Sequence, residues 1–333
     1  MQHPSLWLVT QGGQAVGTEP LQPQQTPVWG LGRVIALEHP ELHCVCLDLD
    51  PSGADNTQTL LDELGNTDDT QIAWRHNTRH VARWKPYTLP PQTSPFTIRE
   101  DSSYLITGGL GALGFQVAQW LIKQGAQHLL LLSRTGESSA VQDKMAQLTQ
   151  TGANILIIKA DVADQVDLNQ ALNHAFADQP PLRGIIHAAG VLADGMLMGQ
   201  NWDNFEKVMA PKVYGAWHLH QYSANLALDF FVMFSSAASV LGNQGQGNYA
   251  AANAFLDGLA HYRKSQGLAA TSINWGPFKQ AGMAFSKGID RLSKQGYQPI
   301  DIDDGLAVLG KILSANVSQV GAIPCDWHQY ISF

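Results

Sequence analysis

The chain has 333 residues, 44% hydrophobic and 14% charged, enough to bury a sizeable core in one large α/β unit or two domains. A net charge of −8 with no run of Lys or Arg excludes an electrostatic nucleic-acid binder. Apolar runs such as "LLLL" at 129–132 fall far short of the ~20 residues that cross a bilayer, and "MQHPSLWLVTQGG" is not a secretory signal, so no membrane partner is expected.

In chain order, "SLWLVT" reads as a strand and is followed by "TQGGQAVG" (10–17). This glycine-rich stretch runs into "TEPLQPQQTP", which cannot open a helix, so it is read as a loop without a cofactor. "PVWGLGRVIALE" and "TQTLLDEL" read as helices, "HCVCLDLD" as a strand, and "QIAWRHNTRHVARW" as a hairpin or strand pair. Cys44, Cys46 and Cys325 have neither disulfide nor zinc spacing, which fits a reducing cytoplasm. The polar, proline-containing stretch "WKPYTLPPQTSPFTIREDSS" (84–103) reads as a boundary.

Beyond it, short apolar strands alternate regularly with helices. The strands are "SYLIT", "HLLLLS", "ILIIKAD", "GIIHAAG", "DFFVMFSS" and "ATSINWG". The first crossover helix carries Val117, Ala118, Leu121 and Ile122 on one face and closes at Gly125; a long helix, "WDNFEKVMAPKVYGAWHLHQY", comes later. The fold class is therefore α/β, a Rossmann-like doubly wound parallel sheet covered on both faces. His218 and His220 stand two apart on a helix and face different ways, so no metal site is expected.

Directly after "SYLIT" comes "TGGLGALG", comprising Thr107, Gly108, Gly109, Leu110, Gly111 and Gly114. Between a strand and an amphipathic helix, these glycines let a pyrophosphate approach the backbone and the helix N-terminus. The second strand ends in Ser133-Arg134, where an NAD site would carry a carboxylate about 20 residues past the glycines. A hydroxyl and a guanidinium suit a 2′-phosphate, so NADPH is the expected cofactor. Asp161 and Val162 would border the adenine, and His187, Ala188, Ala189 and Gly190 would line the cofactor.

"QGQGNYAAANAFLDG" (244–258) runs from a glycine-broken loop into a helix opening with Tyr249, with Asn253 one turn later on the same face. A phenol has a pKa of ~10 and needs a cation beside it to exchange protons near neutral pH. Residue 253 is not one.

"TGGLGALG", "HAAGVLADG", "MAPKVYGAWHLH", "FSSAASVLGNQGQGNYAAANAFLDGLA" and "INWGPF" occur in this order. Over about 100–333 the chain is similar to the short-chain dehydrogenase/reductases and, within them, resembles the ketoreductase domains of modular polyketide synthases. The resemblance implies that the cation comes from the preceding long helix, as Lys212, with Asn253 following Tyr249. It assigns Tyr249 as proton donor, Ser236 as hydrogen-bond donor to the same carbonyl oxygen, and Asn253 as holder of a relay water. Lys212 would relay protons, hold the nicotinamide ribose and depress the phenol's pKa. An ammonium ~4 Å away favours phenolate by at most about 4 kcal/mol at an effective dielectric of ~20. Ser235 competes for the serine role, but its side chain is expected on the opposite face of the strand.

The resemblance also implies the substrate, a β-ketoacyl chain on the phosphopantetheine arm of an acyl carrier protein, with other synthase domains as neighbours. Pro277 and Phe278 would border the nicotinamide, and "KQAGMAFSKG" would form a lid. Leu192, Asp194, Leu241 and Met283 are the candidates for substrate contact and stereocontrol. Leu192-Ala193-Asp194 resembles the Leu-Asp-Asp motif of B-type, D-hydroxyl-forming domains with its middle aspartate replaced. Leu241 stands where the opposite type usually has tryptophan. Residues 1–97 resemble the latter part of a truncated Rossmann-like structural subdomain without cofactor, its usual opening portion absent, and 98–333 form the catalytic subdomain. Two other readings stand beside this one: a free-standing reductase of a diffusible ketone, and a redox-inactive domain that scaffolds or epimerises the chain.

Overall fold

The computed structural model describes residues 5–17, 19, 21–53, 56–64, 69–89, 97–136, 139–279 and 289–332. The N-terminal unit contains β1 (Trp7–Gln11), α1 (Pro27–Glu38), β2 (Val45–Leu49), α2 (Thr57–Leu64), β3 (Gln71–Arg75) and β4 (Thr78–Val81). Its sheet runs β1-β2-β3-β4, the first three parallel and β4 antiparallel to β3. His76 and Asn77 both take positive φ, 49° and 59°, the backbone that joins tightly paired antiparallel strands.

The glycine stretch after β1 is a loop closed by its own chain. Asp48, fully buried on β2, accepts the amides of Gly13 (2.7 Å) and Gln14 (3.0 Å) and the hydroxyl of Thr10 (2.5 Å). Arg75 makes an ion pair with the same carboxylate. An internal anion thus holds the amides of a loop that resembles a phosphate site in sequence.

The second unit runs β5 (Ser103–Thr107), α3 (Ala112–Lys123), β6 (His128–Ser133), α4 (Ser139–Thr149), β7 (Asn154–Lys159), α5 (Gln165–Ala175) and β8 (Leu182–His187). It continues with α6 (Trp202–Met209), α7 (Gly215–Ser223), β9 (Phe230–Ser236), α8 (Ala237–Leu241), α9 (Gly247–Ser265) and β10 (Thr271–Trp275). Last come α10 (Ile289–Lys294), α11 (Ile302–Ala315), β11 (Gln319–Ala322) and α12 (Trp327–Ser332). Seven parallel strands lie in the order β11-β10-β9-β8-β5-β6-β7, so the winding reverses between β5 and β8. A crevice opens at the strands' carboxyl ends where such a sheet reverses. β11 was not expected from the sequence: "QVGA" is half-buried and has no apolar run.

Neighbouring side chains on each strand feed opposite layers. Ile106 and Leu131 pack with Val117, Leu121 and Leu309 on one face. Leu105 and Leu130 pack with Leu168, Leu219, Leu256 and Leu259 on the other. This two-sided burial explains the continuous apolar strands.

The two units meet where α1 lies along α9. Val34 of α1 is fully buried with Ala238 and Ala250. Gly30 allows the approach, since a Cβ there would run into the Ala250 carbonyl oxygen. Gly30→Ala should therefore cost about 1–3 kcal/mol, the usual range for overpacking, read as a lower urea midpoint. An unchanged midpoint would mean that the helices are not so closely seated.

Candidate active site

The glycine loop sits at the winding reversal. Gly108, at φ 68°, lies against the Ala188–Ala189 backbone, and a Cβ on Gly114 would meet the Gly108 carbonyl. Gly111 caps α3 without a side-chain hydrogen bond, so the first turn of that helix presents its amides to an external anion. A bound dinucleotide fits this cradle. Ser133 and exposed Arg134 follow at the end of β6, the serine hydroxyl 3.2 Å from that of Thr135.

Several expected cofactor residues lie deeper than the sequence suggested. Thr107 and His187 are fully buried and hydrogen-bonded, Oγ1 to Nδ1 at 2.7 Å. Burial first, then the Lys212 charge, lowers the His187 imidazole to about 3, so it is neutral. The side chains of Leu110 and Val162 are core, and Asp161 accepts the Ala163 amide at 3.0 Å. The Phe278 ring packs 5.3 Å from that of Trp275 in the core, and the Pro277 carbonyl accepts the Ile300 amide. Leu110, Val162 and Phe278 could touch a cofactor only through their backbones.

Four polar side chains converge from separate elements. The long helix expected over 202–222 is interrupted at Ala210–Tyr214 by one wide turn, in which the Gly215 amide reaches back to the Ala210 carbonyl. Pro211 has no amide to continue the ordinary ladder, and such turns reorient side chains. Lys212 sits in this turn, 3% exposed, and its Nζ donates to the Phe234 carbonyl at 3.0 Å. The same Nζ lies 5.5 Å from the Tyr249 ring centroid. Ser236 ends β9, and its Oγ accepts the Ala238 amide at 3.2 Å. Asn253 is fully buried; its Nδ2 donates to the Tyr249 carbonyl at 2.8 Å, and its Oδ1 has no hydrogen-bond partner among the described residues.

Burial governs the electrostatics of the phenol. Burial pushes the Tyr249 phenol up to about 12; Asn253 and Ser236 act against that rise, and Asp194 adds to it. The Lys212 ammonium is itself lowered to about 8 by burial, with Asp257 opposing.

Asp257 is a residue the sequence did not mark. Its carboxylate accepts Ser272 (2.6 Å), Ser239 (2.7 Å) and Asn274 (2.9 Å), all within the buried volume behind Ser236. Asn274 also donates to Ser235 Oγ at 3.1 Å, while Ser235 donates to the Asn253 carbonyl at 3.2 Å. Ser235 therefore turns away from the Ser236 side and belongs to this buried network.

The stereocontrol candidates lie on the rim. Gln246 donates to Asp194 at 3.2 Å, and Asn248 holds the Ala193 carbonyl at 2.8 Å. Leu192 and Leu241 are partly buried. Met283, and the lid expected over 279–288 apart from Lys279, lie outside the described residues. Among the described residues no His, Cys, Asp and Glu cluster could hold a metal, and no helix is long and apolar enough to cross a membrane.

A wound parallel sheet with a glycine cradle at its reversal and a buried Lys–Tyr–Ser–Asn group defines a dinucleotide-dependent reductase class. Residues 102–280 match the KR domain family, and residues 1–84 match the Rossmann fold domain of the polyketide synthase extender module SpnB. The chain is 37% identical over 324 residues, 96% of its length, to one subunit of the phenolphthiocerol/phthiocerol polyketide synthase of Mycobacterium tuberculosis. It is 36% identical over 98% of its length to the pikromycin polyketide synthase component PikAIII of Streptomyces venezuelae. It spans only 17% and 21% of these two relatives. A solved structure of A-type ketoreductases from a modular polyketide synthase aligns with TM-score 0.88 and 36% identity, over 98% of this chain and 70% of that one. The chain belongs to the ketoreductase domains of modular polyketide synthases.

The Lys212 shift carries a stability consequence. The folded ammonium titrates near 8 and the unfolded one near its ordinary 10.5, so between these values the unfolded chain binds more protons and stability rises with pH. Below about 8 the penalty is fully present. Lys212→Met, which removes the buried charge, should show no such rise, and the parent should gain on it by about 2 kcal/mol between pH 8 and 10. Parallel urea-melt profiles for the two proteins over that interval would contradict the assignment.

Proposed function

We propose that this chain reduces a β-ketoacyl thioester, carried on the phosphopantetheine arm of an acyl carrier protein, to the β-hydroxyacyl thioester. NADPH is the reductant, and the setting is polyketide biosynthesis within a larger cytoplasmic synthase. The observation that carries this reading is the convergence of Lys212, Ser236, Tyr249 and Asn253, with the lysine amine 5.5 Å from the tyrosine ring centroid. Membership of the ketoreductase domains supports the reaction class.

Thr107, Gly108, Gly109, Gly111, Gly114 and Ala188–Gly190 would hold the dinucleotide, with Ser133 and Arg134 taking its 2′-phosphate. When bound, NADPH supplies a hydride to the substrate carbonyl carbon. The chain's own residues manage the proton. A phenol raised to about 12 keeps its proton at neutral pH, as a donor to the carbonyl oxygen must. Ser236 Oγ accepts from Ala238, so its own O–H is the donor directed at the site, toward the same oxygen. The Lys212 ammonium opposes the negative charge left on the phenol as its proton departs. The buried Oδ1 of Asn253 suits a water through which Tyr249 is reprotonated.

Leu192 and Asp194, with Leu241 in place of a tryptophan, support a B-type, D-hydroxyl product. Chiral analysis of the product from a synthetic β-ketoacyl thioester should give the D-hydroxyl, and an L-hydroxyl product would reverse the assignment.

Tyr249→Phe should lower NADPH oxidation with that thioester about 10²–10⁴-fold, leaving NADPH binding intact by fluorescence titration. Turnover retained in the variant would remove Tyr249 from the reaction. No consumption by the parent chain would point to a redox-inactive domain, and a strong preference for small free ketones to a free-standing reductase.

A further inference from the structure

We propose that Glu38, from the N-terminal unit, is a positioning residue that clamps together the two loops bordering the substrate side of the site. Its role toward substrate rests on the reductase reading above; the clamp itself does not. Glu38 is the last residue of α1. Its Oε2 accepts the Leu197 amide and its Oε1 the Gly245 amide, both at 2.7 Å. Leu197 lies in the loop that carries Leu192 and Asp194, and Gly245 lies just before α9 and Tyr249. One carboxylate thus joins segments 159 and 207 residues away from it in sequence.

The surrounding bonds brace the same pair of loops. The Gly195 amide donates to the Gly245 carbonyl at 2.8 Å, and Gln244 donates to the Leu37 carbonyl at 3.0 Å. Because Gly30 seats α1 against Ala250, one residue beyond Tyr249, the Glu38 carboxylate is referenced to the phenol through rigid helices. Both oxygens receive backbone amides, and hydrogen bonds to an ionised acceptor are stronger than neutral ones. A glutamine would keep one acceptor and turn an NH₂ toward the other amide. An alanine would release both loops.

The test compares Glu38→Ala, Glu38→Gln and Glu38→Asp in the whole chain. In Glu38→Ala, hydrogen exchange should speed about tenfold or more in peptides covering 193–198 and 243–247, but not in 103–111 at the glycine loop. KM for the β-ketoacyl thioester should rise by about the same factor, and the ratio of product enantiomers should fall, with NADPH affinity unchanged. Glu38→Gln should lie between parent and Glu38→Ala, and Glu38→Asp should recover part of the enantiomer ratio. A residue that only supports the fold would lower the amount of active protein without moving KM or the enantiomer ratio. Unchanged exchange in the two peptides, or equal acceleration everywhere, would overturn the clamp. Faster exchange with unaltered KM and enantiomer ratio would overturn its role toward substrate. If the parent reduces no thioester, the reductase reading fails while the exchange measurement still decides the clamp.

Discussion

The site depends on one hydrogen bond, from the Lys212 ammonium to the Phe234 carbonyl. It places a positive charge at the end of β9, two residues before Ser236 and beside the ring of Tyr249. An ammonium so deeply buried is costly, and the lowered pKa expresses that cost. The wide turn at Ala210–Tyr214 makes the placement possible, since in an unbroken helix the same residue would point along a different radius. Asp257 and its serine and asparagine partners then hold the strand end that the lysine addresses.

The N-terminal unit acts on this arrangement from outside. α1 covers α9 along a seam of small residues, so the helix bearing Tyr249 and Asn253 is packed against the sheet behind and against another helix in front. Helices enclosed in this way have little freedom to drift, and reactive groups built on them keep their mutual distances. Arg33, on the same helix, reaches the Ser239 carbonyl at 2.5 Å, so the covering unit also touches the turn that follows Ser236.

Much of this was legible in the sequence because the signals were periodic or strongly placed. Alternating strands and helices gave the wound sheet, and "TGGLGALG" between a strand and a helix located the cradle. Lys212 could be paired with Tyr249 only through a family resemblance, since no local spacing links residues on different helices. The burial of the Phe278 ring was not legible, because a motif position does not say which way a ring points. The raised phenol was missed because burial is a property of packing, invisible to a charge-counting argument. Asp257 and Glu38 carried no signal at all: each matters through partners more than ten residues away. β11 escaped notice because a four-residue edge strand has too few side chains to show a pattern.

The buried carboxylate of Asp48 gives the two glycine loops different thermodynamic lives. The loop after β5 faces a ligand that comes and goes, so the stability of its unit rises with the concentration of whatever binds there. The loop after β1 holds an anion tethered through the backbone, always present at the same effective concentration. That loop is therefore anchored from within the chain. The N-terminal unit thus offers α9 a surface whose own glycine loop is fastened by an internal carboxylate.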